Sequence, residues 1–200
     1  MTLAELLADK KTITVSGLYS GIGKTMLSEY ILSTVRGIAA VKITMTDGTT
    51  LVSDEEAAIM VEGKDTFRFK ARGAQKVVWI RSTEDTLKKA LQEALALLGD
   101  YQKILLEGNS LLSLMTPCLA VFLCDEKIIG GPIKPGRVTA LKKADIIFHN
   151  IRSTHKEARQ EVEAFCKKIN QKARVIPVNI QDESRTMQIL TSVLREWGFL

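Results

Sequence analysis

Gly17, Gly21 and Gly23 stand between an apolar, β-branched run (Ile13, Thr14, Val15) and the pair Lys24 and Thr25, within TITVSGLYSGIGKTMLSEYIL over residues 12–32. Strand, glycine turn, Lys-Thr, helix is the order a phosphate-binding loop requires. Glycine lets successive backbone N–H groups curl around phosphate oxygens, and the helix N-terminus adds the positive end of its dipole. In such a loop the backbone of Ser20, Gly21, Ile22, Gly23 and Lys24 holds the β-phosphate. Lys24 bridges the β- and γ-phosphates, the Thr25 hydroxyl ligates magnesium, and Met26 closes the nucleotide-binding stretch. Gly17 precedes Gly23 by six positions where the standard loop has five, so this loop is one residue longer.

Further candidates sit where strand-like runs end. Lys42, in VKIT, reaches either the phosphates or an anionic second substrate, or is an ordinary strand-end lysine. Glu107 ends KILLEGNS; a carboxylate closing a buried strand is costly unless paired or metal-bound. It is placed as a magnesium-holding or water-positioning acid, with Lys24 and Lys42 as its catalytic partners. Gly108 leaves room for backbone to approach the ligand, and Asn109 offers a hydrogen bond. EGKDTFRFKARGAQKVVWI supplies Asp65 as a second magnesium-side acid and Arg68 as a phosphate clamp. Asn150 ends IIFHNIR, where an amide can meet a purine edge or simply form a turn. The Asn/Thr-Lys-x-Asp guanine motif is absent, so GTP and ATP are not distinguished. His149 reads as a core histidine, and two histidines in the chain argue against a multi-histidine zinc site.

The elements that must position these residues alternate. Strand-length apolar runs recur at 12–16, 39–43, 77–80, 103–107, 119–124, 146–149 and 174–178, mostly unbroken, as strands covered on both faces should be. Helical stretches lie between several of them. Ser82 with Asp85 resembles a capping box ahead of Leu87, Leu91, Ala94 and Leu98, and Gly99 supplies the stop. Thr154 and Glu157 open a second helix with Ala158, Val162, Phe165 and Ile169 on its apolar face. A third, over 184–197, buries Met187, Leu190, Val193 and Leu194. The expectation is one α/β domain over residues 1–200, with a mostly parallel, roughly seven-stranded sheet between helical layers and ligands beyond the carboxyl ends of the strands. Residues 46–72 and 125–137 escape the pattern and read as long loops over that edge, the second carrying Lys134 and Arg137 in GGPIKPGR.

Composition bounds the partners. The 200 residues are 46% hydrophobic and 26% charged, ordinary for a globular domain. A net charge of +5 fits an anionic ligand, and no basic stripe with interleaved aromatics suggests nucleic acid. Cys118, Cys124 and Cys166 form no CxxC pair and leave an odd count, so buried thiols in a reducing cytoplasm are expected. The N-terminus lacks a signal-peptide pattern, and the longest apolar run, 111–124, contains Pro117 and is too short to span a bilayer.

GLYSGIGKT, VKIT, GKDTFRFKARGAQKV and ILLEGNS occur in the order and spacing of the molybdopterin-guanine dinucleotide biosynthesis protein B family. The resemblance covers roughly residues 12–110, and the KDTFRFKARGA piece is its most specific part. It implies a P-loop NTPase-like three-layer sandwich and a GTP- and magnesium-binding accessory protein that assists assembly of a guanylated molybdenum cofactor and hydrolyses GTP weakly. By position, Gly23, Lys24 and Thr25 bind phosphates and magnesium, and Lys42, Asp65, Arg68 and Glu107 line the site. A partner protein of cofactor biosynthesis and a homodimer are implied as well. The chain departs from the family after Lys42, where ITMT replaces a histidine-rich stretch. Its longer loop, with ADIIFHN and ARVIPVN, is similar to dethiobiotin synthetase, which implies the alternative of an ATP-dependent ligase or small-molecule kinase.

Overall fold

Apolar runs without alternation form the middle of the sheet because helices cover both of its faces. In the computed structural model, which describes residues 1–152 and 156–200, α1 (Leu3–Leu7) leads into β1 (Lys11–Gly17), and α2 (Lys24–Thr34) follows the glycine loop. Next come β2 (Ile38–Met45), β3 (Leu51–Ser53), α3 (Glu56–Ile59), α4 (Asp65–Ala71), β4 (Val77–Ser82), α5 (Leu87–Leu98) and β5 (Lys103–Glu107). The chain continues through β6 (Leu119–Cys124), α6 (Pro135–Lys143), β7 (Ile146–Asn150), α7 (Lys156–Ile169), β8 (Arg174–Val178) and α8 (Glu183–Glu196).

The eight strands lie in the order β3-β4-β2-β5-β1-β6-β7-β8. Every neighbouring pair is parallel except β3 with β4. One face packs under α2 and α8 through Ile13, Val15, Leu27, Ile31, Leu190 and Leu194. The opposite face carries two cores. α5 and α1 cover Val41, Ile80, Ile104 and Leu106, and α6 and α7 cover Phe122, Ile147 and Cys166. Successive residues of β5 illustrate the rule: Leu105 joins the first core, Ile104 and Leu106 the second. β8 is an edge strand. Val178 turns its backbone inward, accepting from Ile151 N at 2.7 Å, so its neighbour Pro177 presents its missing N–H outward.

The α/β sandwich expected from the alternation is thus present, with all seven runs as strands and one strand more. β3 lies inside the stretch 46–72 read as a loop, because two apolar residues after a polar turn give no periodic signal. That stretch also holds α3 and α4, and α6 starts at Pro135 inside the stretch 125–137. The Ser82–Asp85 capping box does not form. Ser82 belongs to β4, and its hydroxyl bonds Thr83 O (2.9 Å) and Thr86 Oγ1 (2.9 Å), while α5 begins after Thr86. Cys124 and Cys166 are buried thiols, but Cys118 is exposed, since it precedes the strand that would have covered it. The Thr154 part of the α7 start lies outside the described residues.

Candidate functional site

The glycine loop departs from the end of β1 and needs its glycines for two reasons. A Cβ on Gly17 would stand 2.8 Å from Ile22 Cγ2 and 3.2 Å from Leu123 O, so the loop could not fold back over the strand end. Gly21 and Gly23 take φ of 83° and 117°, left-handed values that a side chain strains. Gly17 N donates to Asn109 Oδ1 at 2.8 Å and Leu18 N to Leu123 O at 2.8 Å, tying the loop to the ends of β5 and β6. Tyr19 fixes the outer side: its hydroxyl donates to Asp125, and burial together with that bond pushes its pKa up to about 12.

Lys24 and Thr25 open α2 from the Gly23 cap, and Met26, the next residue, is partly buried against the core. Lys24 Nζ rests on Tyr19 O at 3.2 Å. Burial holds this ammonium below the ordinary lysine pKa; Glu107 opposes that shift, while Lys42 and Arg137 add to it. Arg137, at the start of α6, therefore carries its charge toward the loop.

Parallel register builds the rest. Val15 and Lys42 both pair with Glu107, and Lys42 pairs in turn with Trp79, so Val15, Glu107, Lys42 and Trp79 form a row across β1, β5, β2 and β4. Glu107 is only 1% exposed and is fully engaged. It accepts from Ser28 Oγ (2.9 Å), Thr25 Oγ1 (3.3 Å) and Lys42 Nζ (2.5 Å). Lys42 Nζ also pairs with Asp65, which begins α4. Burial penalises the Lys42 ammonium, but Glu107 and Asp65 outweigh it and hold its pKa above the ordinary value. Burial likewise works to raise Asp65, and Lys42, Thr25 and Arg68 together pull it below the usual carboxyl range.

The structure therefore gathers Lys24, Thr25, Lys42, Asp65 and Glu107 at the head of α2. Arg68 is spent differently from the expected phosphate clamp: its guanidinium grips Glu29 of α2 with two bonds of 2.7 and 2.9 Å and lies 3.9 Å from Asp65. It anchors α4 to α2 and so sets the position of Asp65. Asn150 stands apart from the expected base-reading role. Its Nδ2 donates to Ile22 O at 3.2 Å and its Oδ1 accepts from Ile180 N at 3.1 Å, bracing the loop from below. Gly108 serves packing, since a Cβ there would meet Ile43 Cβ at 3.1 Å. His149 is buried and held below its ordinary pKa by that burial, as a core histidine is.

Thr25, Asp65 and Glu107 offer only oxygen, the donor set that suits magnesium. Among the described residues no group of three or more His, Cys, Asp or Glu is placed to hold a metal. A cation at this site would complete its shell with phosphate oxygens and water, the usual condition of Mg²⁺ beside a nucleotide. Outboard of Lys42, on the side away from the loop, lies a cavity of about 300 Å³ lined by Thr44, Ala58, Val61, Lys64 and Trp79.

Similarity to solved structures follows the same architecture. HypB from Helicobacter pylori, solved in complex with nickel, superposes with a TM-score of 0.60 at 15% identity, covering 94% of this chain and 86% of that one. The fold is that of a P-loop NTPase. The hydrogenase maturation factor HypB from Archaeoglobus fulgidus gives 0.58 at 18% identity over 95% and 94% of the two chains. The Zn(II)-bound YjiA GTPase from E. coli gives 0.50 at 16%, over 84% of this chain and 57% of that one. No family model matches the chain, and no curated protein matches it in sequence. No helix among the described residues is long and apolar enough to cross a membrane.

Ser28, Glu29 and Trp79 join or support the site without having been singled out in the sequence. Ser28 was legible in principle, lying three residues after Thr25 on the same helix face. Glu29 and Trp79 depend on tertiary neighbours.

Proposed function

We infer that this protein binds a nucleoside triphosphate with magnesium on the loop from Gly17 to Thr25 and acts on it slowly, as an accessory protein in the assembly of a pterin-type or other metal cofactor. One observation carries the reading: Thr25, Glu107, Asp65 and Lys42 converge where the γ-phosphate of a loop-bound nucleotide would lie. The backbone from Ser20 to Lys24 would cradle the β-phosphate, and Lys24 would leave the Tyr19 carbonyl for the phosphates. Thr25, Glu107 and Asp65 would hold magnesium, which supplies charge neutralisation at the transferred phosphoryl group. Slow hydrolysis follows from Glu107 itself, whose carboxylate is committed to three donors and leaves no free base for water.

The molybdenum-cofactor assignment rests on sequence resemblance, and it is supported by the convergence of the motif residues Lys42, Asp65 and Glu107 on one spot. A second reading, an ATP-dependent ligase or small-molecule kinase, is favoured by the cavity beside Lys42, which is placed for a second substrate. Calorimetric titration of MgGTP and MgATP into wild type and Lys24→Ala tests the common core. Tight binding lost in the variant is expected; equal binding by both proteins would remove the loop from the account. GTP preference with negligible turnover favours the accessory role, and ATP preference favours the ligase or kinase.

A further inference from the structure

The row of Glu107, Lys42 and Trp79 extends the phosphate site sideways along the sheet. With neighbouring strands spaced about 4.8 Å apart, Trp79 stands roughly 10 Å from Glu107, and Lys42 lies between them. The cavity occupies the far half of this row. Its volume of about 300 Å³ lies at the small end of ligand pockets, the size of a metabolite and too small for a second nucleotide. Its walls are of two kinds. Trp79, Val61 and Ala58 present apolar surface, and the indole N–H of Trp79 is already used on Thr44 Oγ1 at 3.1 Å. The charged groups are Lys42, Lys64 and Asp65; the Asp65 carboxylate is paired with Lys42, and Lys64 has no ion pair among the described residues.

Lys42 is shared between the two halves. It neutralises Glu107 and Asp65, the same carboxylates that would hold magnesium. When magnesium takes over that charge, the Lys42 ammonium, only 13% exposed, needs another anion. The γ-phosphate offers one on the loop side, and the cavity is the place for one on the other.

We propose that this cavity binds a small organic anion with an apolar body, its acid group on Lys42 and Lys64 and its body against Trp79, and that its binding strengthens when magnesium and nucleotide are bound. The proposal rests on the nucleotide-binding reading for the coupling alone; the cavity and its lining stand without it. The ligand is a second substrate or the acidic part of a cofactor precursor, and its acid group would sit beside the γ-phosphate.

Trp79 supplies the reporter. In a Trp197→Phe background it is the sole tryptophan, so its emission reads the cavity directly. Benzoate and octanoate are titrated as probes against benzamide and octanamide, with and without magnesium and a non-hydrolysable nucleotide. The carboxylates are expected to change the emission saturably, the uncharged amides to bind on the order of tenfold more weakly, and nucleotide to tighten the carboxylates. Lys64→Ala should weaken them by a similar factor, and Ala58→Phe, which fills the cavity without adding a second tryptophan, should abolish the response while nucleotide affinity stays as in wild type. Amides binding as well as acids, an unaltered response in Lys64→Ala, or no saturable change at millimolar carboxylate overturns the proposal. Nucleotide titrated alone separates the two ideas. If nucleotide binds and the carboxylates do not, the cavity assignment falls; if the carboxylates bind and nucleotide does not, the phosphate-site reading falls and the coupling with it.

Discussion

Replacing Lys42 with methionine keeps the aliphatic stem and removes the one cation that Glu107 and Asp65 share. Breaking a buried pair by deleting one partner costs about 3–5 kcal/mol, because the other charge stays buried and unpaired. Glu107, 1% exposed, keeps its Thr25 and Ser28 donors, and Asp65, 35% exposed, can recruit water, so the lower end, about 3 kcal/mol, is expected at pH 7. For a chain of this size that is a fall in Tm of about 6–12 °C. The pH dependence distinguishes the cause. In wild type Lys42 is raised and Asp65 lowered, so their contribution is present in full above the Asp65 reference of 3.8 and below the lysine reference of 10.5. Between pH 5 and 7 wild type should therefore be level in this respect. Without the ammonium, Asp65 loses the cation that holds its carboxyl down, and burial then works to raise it. The folded state then binds the extra proton, and the variant gains stability as pH falls. Urea unfolding at pH 7 and pH 5 should show the gap to wild type narrowing on acidification, and Lys42→Met with Glu107→Gln should cost less than the two single changes summed. A Lys42→Met protein within about 1 kcal/mol of wild type at pH 7, or with a gap independent of pH, would refute the shared-cation account.

Glu107→Gln should retain nucleotide binding and lower single-turnover hydrolysis on the order of a hundredfold, because an amide holds magnesium less well than a carboxylate; unchanged turnover would take Glu107 out of the chemistry. Gly17→Ala forces a methyl to 2.8 Å from Ile22 and should lower stability by about 1–3 kcal/mol in urea unfolding, with weaker nucleotide binding. The buried Lys24 ammonium is held below its ordinary pKa, and phosphates that favour its charged form should raise it. Binding at alkaline pH should then take up protons, seen as a dependence of calorimetric enthalpy on buffer ionisation heat that grows from pH 7 to pH 9; an enthalpy independent of buffer at pH 9 would refute the shift.

What the sequence disclosed and what it hid divide along a physical line. Unbroken runs such as KILLE and LAVFLC announce strands covered on both faces, and the glycines, Lys24 and Thr25 announce their own loop, because those signals are local. Lys42 and Glu107 were placed at strand ends from the same runs, yet their direct contact is a matter of register between β2 and β5, which no run contains. Arg68 shows the cost of reading charge by type: the guanidinium meets Glu29 on another helix, and nothing in KDTFRFKARGA tells that α2 will lie there. Asn150 occupies the expected strand end, but its amide goes to the backbone of two loops that only the folded chain brings together. Trp79 was one apolar residue among VVWI until parallel pairing set it beside Lys42.

The outer strands bear on how copies of this chain could meet. At one border β3 is three residues long and runs against the rest; at the other, β8 turns a proline toward the outside. Neither rim offers the long row of alternating donors and acceptors by which two sheets join into one. A homodimer of this protein, the association its sequence resemblance implies, would have to meet through helices or loops, and its continuous sheet would stop at eight strands. The same closed rims guard against fibrous stacking, so a destabilised variant should keep its borders shut until β3 or β8 itself detaches.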